Sequence, residues 1–486
     1  MTVIPWGAWM PDVSDYNGTH SRRIENAMPR GDGYGPVPSL SEFTDALPAA
    51  CRGAFLALNT DGTIALFAGT ATKLYKMSNT DLSWDEVTRA SGGNYAVPAA
   101  NQWQFAQLGS VVVAVNGADA MQAYTLGSST DFAALAGSPP IAAYVTVINE
   151  FIVLSGLASN PFRIQWSARS SAVGWTAGTN ESDYQDFTDG GVVRGVAGGE
   201  FGVVFQDNAI RSMIYQPGSA VIFSFDRTSE GKGLRAPYSL IKAGERIFFR
   251  SASGFEVMIP GGQPQPIGKE RFDRTIESDL DTGALNLLIG AYEPKSSRVY
   301  WSYKSTTGTA GAFNRILVWD YVLERGALIT GISGEYLTTM ATPGVTLEGL
   351  DALYASLDDI TVTLDDIPVA FATALSIFST AHKGGFLSGA SLEATLETSE
   401  FGSSRKTFVR AVRPDSDSAT VYSSMLTREK LSDIPATTAE ATITSLGFAC
   451  HRTEARLIKY RNRIPAGTTW TFSIGVEPEA IETGLR

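Results

Sequence analysis

The chain has 486 residues with 38 Lys/Arg against 50 Asp/Glu, a formal net charge of −12. That sign opposes a duplex-binding role, which relies on cations releasing the counterions of the phosphates. Charged residues make up only 18% and glycine reaches 48 positions, a balance that favours strands and tight turns over long solvated helices or disorder.

Residues 1–50 are rich in Pro, Gly, Asn and Trp, as in Trp6-Gly7-Ala8-Trp9-Met10-Pro11, and follow neither a helical nor an alternating period. They read as an extended N-terminal arm whose aromatics lie along its own domain or a neighbouring subunit. No Lys/Arg-flanked apolar segment of a secretion signal is expected there. From Arg52 the texture changes to short apolar runs closed by Gly turns; residues 53–58 and 63–69, joined through Asp61-Gly62, predict a hairpin. Units then open near Arg52, Gln104, Ala143, Val193, Tyr238, Leu287 and Tyr336, at spacings of about 40–50 residues, which is the spacing of propeller blades. Each unit has a strong strand (111–115, 151–154, 202–205, 246–250, 298–303) followed by one that often carries an aromatic (73–77, 164–166, 210–215, 255–259, 316–319). The expected fold is all-β: a β-propeller of six or seven blades over 51–386, with an acidic insertion at about 341–370. That insertion holds Glu348, Asp351, Asp358, Asp359, Asp365 and Asp366 without a cation. It reads as a solvated loop, a surface facing DNA, or an oxygen-ligand cation site lacking the EF-hand spacing. From 387 to 486 the strands 391–397, 407–413, 419–424, 441–448, 455–461 and 470–476 alternate more evenly and predict a C-terminal β-sandwich. Arg452, Arg456, Lys459, Arg461 and Arg463 put cations on one of them, as a charge-guarded edge or as a docking face for an acidic partner.

No catalytic, cofactor-binding or metal-ligating residue is assigned. Three histidines, His20, His382 and His451, stand at no metal spacing. The cysteines, Cys51 and Cys450, exclude a disulfide scaffold and read as buried thiols. A nucleophile elbow and a phosphate loop are both missing. The stretch Ser78-Asn79-Thr80-Asp81-Leu82-Ser83-Trp84 has the look of a sialidase Asp-box turn but occurs once, and Arg30-Gly31-Asp32 and the sequons at Asn17 and Asn180 read as chance. A propeller glycosidase or depolymerase with facing carboxylates is the enzymatic alternative. A carbohydrate-binding adhesin would present aromatic platforms near Trp6, Trp9 or Trp175.

A set of motifs in fixed order adds a family resemblance. It starts with Asn26-Ala27-Met28-Pro29-Arg30-Gly31-Asp32-Gly33-Tyr34-Gly35-Pro36, then Gln165-Trp166-Ser167, Gly174-Trp175-Thr176, Asp183-Tyr184-Gln185-Asp186-Phe187 and Gly190-Gly191-Val192-Val193-Arg194-Gly195. It continues through Gly199-Glu200-Phe201-Gly202, Glu230-Gly231-Lys232-Gly233, Gly254-Phe255-Glu256 and Pro266-Ile267-Gly268 to Leu392-Glu393-Ala394-Thr395 and Arg463-Ile464-Pro465-Ala466-Gly467. In this order the chain resembles the tail accessory (hub or nozzle) proteins of short-tailed bacteriophages, related to the packaged-DNA stabilisation proteins. The resemblance implies a non-enzymatic virion protein, assembled in the host cytoplasm without a cofactor and forming a homo-oligomeric, six-fold ring. It implies as partners a head-tail adaptor and a tail fibre, tailspike or plug protein, with DNA passing through the lumen unbound. No membrane insertion follows. Before residue 381 the chain holds 25 basic and 38 acidic residues, a bias suited to a passage along which phosphate must slide.

Overall fold

The computed structural model describes residues 3–59, 62–341, 356 and 373–483. The fold is all-β and propeller-like. Five separate four-stranded antiparallel sheets follow one another in chain order, each a simple meander. The first comprises Ala54–Leu58, Ile64–Gly69, Leu74–Met77 and Trp84–Glu86, and the fifth Ile241–Ala243, Arg246–Arg250, Phe255–Met258 and Gln265–Pro266. Their second strands are buried on both faces, as in Ile64–Gly69 and Gly202–Gln206, which explains their unbroken apolar sequence.

Two further sets of four strands share one long strand. Ile289–Glu293, Arg298–Tyr303 and Phe313–Asp320 pair in succession and end on the first part of Arg325–Ala341. Residues 334–341 of that same strand then open a new set with Thr373–Ser379 and Lys383–Ser391, whose outer partner is the N-terminal strand Pro38–Ala46. Register shifts between Phe313 and Arg315 and between Gly334 and Tyr336 mark the handover, next to Gly331 at φ +83, a left-handed value that suits glycine. The seven unit starts expected from the sequence fall in or just before first strands.

The apolar clusters succeed one another around this array. Phe67, Trp103 and Tyr124 join the first and second sheets, Val113 and Ile152 the second and third, Ile164 and Met213 the third and fourth, and Phe205 and Phe249 the fourth and fifth. Phe255 and Trp301 join the fifth and sixth, while Tyr300, Tyr336, Ile377 and Leu66 bring the sixth and seventh sets back against the first. First strands touch first strands, Gln104–Leu108 meeting both Ala54–Leu58 and Ala142–Ile148, so they line the centre.

The remaining strands come from both chain ends. Ser21–Glu25 pairs with Ala394–Thr398, which pairs with Ala449–Ile464; Ile4–Pro5 pairs with Ser473–Glu482. The expected arm is therefore sheet material along its own chain, and Lys383–Ser391 runs through the expected boundary at 386. Phe401–Ser416 and Ala449–Ile464 are each 16 residues, longer than expected. The expected strand 441–448 shrinks to Ala441–Thr442, because Gly447 at φ +78 turns the chain and Phe448 is held as an acceptor of the Thr444 N–H. Helix Asp273–Asp279, unforeseen in the sequence, docks between the fifth and sixth sets. Among the described residues no helix is long and apolar enough to cross a membrane. The acidic insertion, including Glu348, Asp351, Asp358, Asp359, Asp365 and Asp366, lies outside the described residues.

Candidate functional site

Near the centre of the array, buried polar side chains pack against one another. The Gln102 backbone N–H donates to Tyr238 Oη at 2.8 Å, and Gln102 Nε2 donates to the Asn286 carbonyl at 3.1 Å. Tyr144 meets Tyr238 edge-on with ring centroids 5.9 Å apart. Gln102, Tyr238 and Tyr336 are all buried. Burial pushes the Tyr238 and Tyr336 phenols well above their ordinary range, and it raises Tyr144 to about 12. Beside them the Arg52 guanidinium donates to the carbonyls of Pro98, Ala99 and Asn101. Gln102 Oε1 is buried without a hydrogen-bond partner, while these hydrogen bonds join the entries of different strand sets.

A Cys/His/Glu trio beside it has the composition of a catalytic triad without the geometry. Glu335 Oε2 accepts the Cys51 backbone N–H at 2.8 Å and Glu335 Oε1 lies 2.7 Å from His382 Nδ1. The Cys51 Sγ instead faces the Gly53 carbonyl at 3.5 Å, and burial pushes its thiol up, away from the thiolate a nucleophile needs. Burial also raises the Glu335 carboxyl. This carboxylate ties the entry of the first sheet to the 380–382 turn of the seventh set.

The most perturbed carboxyl with room to titrate is Asp273, at the start of the short helix. Burial pushes it up to about 6, partly offset by the Phe255 N–H it accepts at 3.1 Å and by Arg250. Its Oδ2 is buried without a partner. Gly254 and Gly268 make the close fit possible, since a Cβ at either would stand 2.0–2.1 Å from this carboxylate. Nearby, Arg250 donates to Glu277, and the wholly buried Glu256 accepts from Lys232, Ser251 and Ser253 at 2.7–2.9 Å. Because the folded-state value lies above the ordinary 3.8, Asp273 supports the fold fully below pH 4, and that support is lost as pH rises through 6. Asp273→Asn is therefore expected to remove a fall of about 2 kcal/mol between pH 4 and 7, a figure discounted for residual exposure. Urea midpoints across that range check it; an unchanged pH slope in the variant would refute the assignment.

A groove of about 490 Å³ separates the edge of the fifth sheet from the sixth set. Val257 and Trp319 form its floor, Ile259 its lip, and two arginines cover aromatic rings: Arg246 stands 5.1 Å from the Tyr321 centroid and Arg271 5.4 Å from that of Trp319. Sequence reading missed it, because its residues come from turns far apart in the chain.

Several residues singled out in the sequence have structural positions. Trp6, Trp9 and Trp175 are 1%, 4% and 5% exposed, so none offers a sugar-stacking platform. Four of the five cations on the cationic strand are paired within the chain. Arg461 meets Glu397 at 2.8 Å, Arg463 meets Glu440 and Glu393 at 2.6 and 2.8 Å, Arg456 lies 3.6 Å from Glu429, and Lys459 pairs with Asp15. Cys51 is buried as expected, but Cys450 is exposed, because it alternates outward beside the buried Ala449. The Ser78–Ser83 turn is closed by the Ser78 N–H on the Ser83 carbonyl and by Ser83 Oγ on Asp81. Burial lowers His20 and His451 below the ordinary histidine value. Among the described residues no group of three or more His, Cys, Asp or Glu side chains is placed to hold a metal ion.

No family model matches the chain, and no curated protein matches it. Among solved structures it is similar to the extracellular domain of a putative one component system from B. thetaiotaomicron, at 9% identity and a TM-score of 0.38, covering 77% of this chain and 42% of that one. It is also similar to a quinonprotein alcohol dehydrogenase-like protein from Bacteroides thetaiotaomicron (11% identity, TM-score 0.35, 57% and 65% covered). A third similar structure is that of YCF48 bound to D1 peptide (13%, 0.37, 60% and 87%). The chain thus spans less than half the length of the first of these. None of these likenesses bears on what this chain binds or does.

Proposed function

We propose that the chain is a ring-forming structural protein of a short-tailed bacteriophage tail, a hub or nozzle subunit. It extends the head-to-tail conduit, helps retain the packaged genome and docks fibres, spikes or a plug. The observation that carries this reading is the ordered motif set from residue 26 to residue 467, taken with where its members lie. Trp166, Trp175, Phe187 and Phe255 are buried between sheets, and Gly190, Gly191 and Gly231 turn the chain at positive φ. What is held in common with those proteins is thus a scaffold.

In this reading the seven strand sets are the blades of a seven-bladed propeller closed by Pro38–Ala46. The strands drawn from both ends form the C-terminal β-sandwich, so residues 1–50 serve both domains. The protein acts without catalysis or cofactor. Six copies stand beneath a head-tail adaptor in the virion, having assembled in the host cytoplasm, and an acidic propeller half repels the passing phosphates. The DNA path runs between the subunits, along the ring axis. Negative-stain microscopy of the purified chain is expected to show closed rings. A chain that stays monomeric at micromolar concentration, or one that releases sugars from capsular glycan, would sink this reading.

A further inference from the structure

We propose that neighbouring copies are joined head to tail, the hairpin tip 429–435 of one seating in the groove between the fifth and sixth strand sets of the next. This deepens the ring reading above and rests on it. The tip follows Tyr422–Arg428 and precedes Ala436–Thr437. It carries Leu431 at 57% and Ile434 at 93% exposure, with Asp433 between them. Two large aliphatic side chains in water on one short turn mark a contact surface more than a solvated loop. The tip is also held in shape. Arg428 donates to the Leu431 and Asp433 carbonyls, the Lys430 N–H donates to the Asp433 carboxylate at 2.9 Å, and the Asp433 N–H donates to the Lys430 carbonyl at 3.0 Å. Little ordering entropy is then left to lose on association.

The groove offers this tip an apolar floor beside a cation. Its floor of Val257 and Trp319 is apolar, Ile259 is 55% exposed at its lip, and Arg246 is the cation left to meet a carboxylate, since Arg271 already pairs with Glu324 of the same groove at 3.4 Å. Both arginines are spread over aromatic rings and so are already oriented. A saccharide is less suited, because Trp319 is only 3% exposed and its ring lies under a guanidinium. Tip and groove are different patches of one chain, and a contact between unlike patches propagates from copy to copy until it closes into a ring.

The test uses mass photometry on the full chain, on Ile434→Asp, on Ile259→Asp and on an equimolar mixture of the two variants. Both side chains are exposed, so each variant is expected to keep the wild-type circular dichroism spectrum and melting temperature. Alone, each is expected to need at least about tenfold more protein to assemble. The mixture retains one intact tip and one intact groove, and so is expected to stop at heterodimers. Rings formed by Ile434→Asp at wild-type concentrations would overturn the contact while leaving the ring reading in place. If the wild type is monomeric throughout, the ring reading falls, and a labelled peptide of residues 428–437 decides the contact separately. Binding that Ile259→Asp abolishes supports it, and no binding overturns it.

Discussion

A chain beginning at Cys51 is expected to lose cooperative folding altogether. The first fifty residues contribute Trp6, Trp9, Ile24, Tyr34, Val37 and Leu47, each at most 4% exposed. At about 1.5–3 kcal/mol per buried large side chain, these six alone are worth roughly 10–15 kcal/mol. That equals the whole net stability of an ordinary domain, about 5–15 kcal/mol. Trp9 stacks on Phe272 at 5.6 Å and Trp6 donates to Ser473 Oγ at 2.9 Å, so the loss reaches both the short helix and the final strand. Removing Pro38–Ala46 also strips the outer partner from Lys383–Ser391 and leaves a bare edge open to aggregation. Urea denaturation followed by circular dichroism should show no sigmoidal transition for the truncated chain. A transition with the full-length midpoint would show that the N-terminal strands are dispensable.

Replacing Arg428 with alanine is expected to destabilise the protein by about 3–5 kcal/mol, the usual cost of leaving one half of a buried ion pair behind. Glu400 is wholly buried, and Arg428 grips it with both arms of its guanidinium at 2.8 and 2.6 Å. The Glu400 amide also donates to the Asp15 carbonyl, so the pair is locked to the N-terminal segment. Without the arginine, the buried Glu400 is left without its charge partner. Replacing both partners with leucine is expected to cost much less than the single change, because no orphaned charge is left. Chemical denaturation of both variants distinguishes the cases; equal losses would mean that packing and not charge holds this site. Arg428→Ala should also loosen the 429–435 tip, whereas Ile434→Asp should weaken assembly with no loss of stability.

The two kinds of strand were not equally legible. Val111–Val115, Arg246–Arg250 and Arg298–Tyr303 could be read to the residue, because a strand covered on both faces is an apolar run bounded by turns. The two 16-residue strands were cut short in the sequence reading. Phe401–Ser416 carries Ser403, Ser404, Arg405 and Lys406 in its exposed part, and nothing local says that such residues continue a strand. The strand continues past them because Gly402 and Thr407 on either side pair with Leu457 and Ala455, about fifty residues away. The arm posed the same difficulty: its Pro and Gly content conceals strands whose partners lie near the other end of the chain. Asp273 was invisible for a different reason, since an aspartate is raised by what surrounds it, and Gly254, Gly268 and Phe255 reach it only through the turns of the fifth sheet.

Composition, charge and the spacing of apolar runs were sufficient to determine an all-β chain of repeated short-strand units with an acidic bias before residue 381, since those properties are local and additive. Only the tertiary structure decided which carboxylates the cations meet. The five cations between residues 452 and 463 suggested an open basic edge in the sequence, yet in space four of them meet carboxylates from elsewhere in the chain, Asp15, Glu393, Glu397, Glu429 and Glu440. Charge can be counted along a chain, but a charge is free or neutralised according to which neighbour folding brings within about 4 Å.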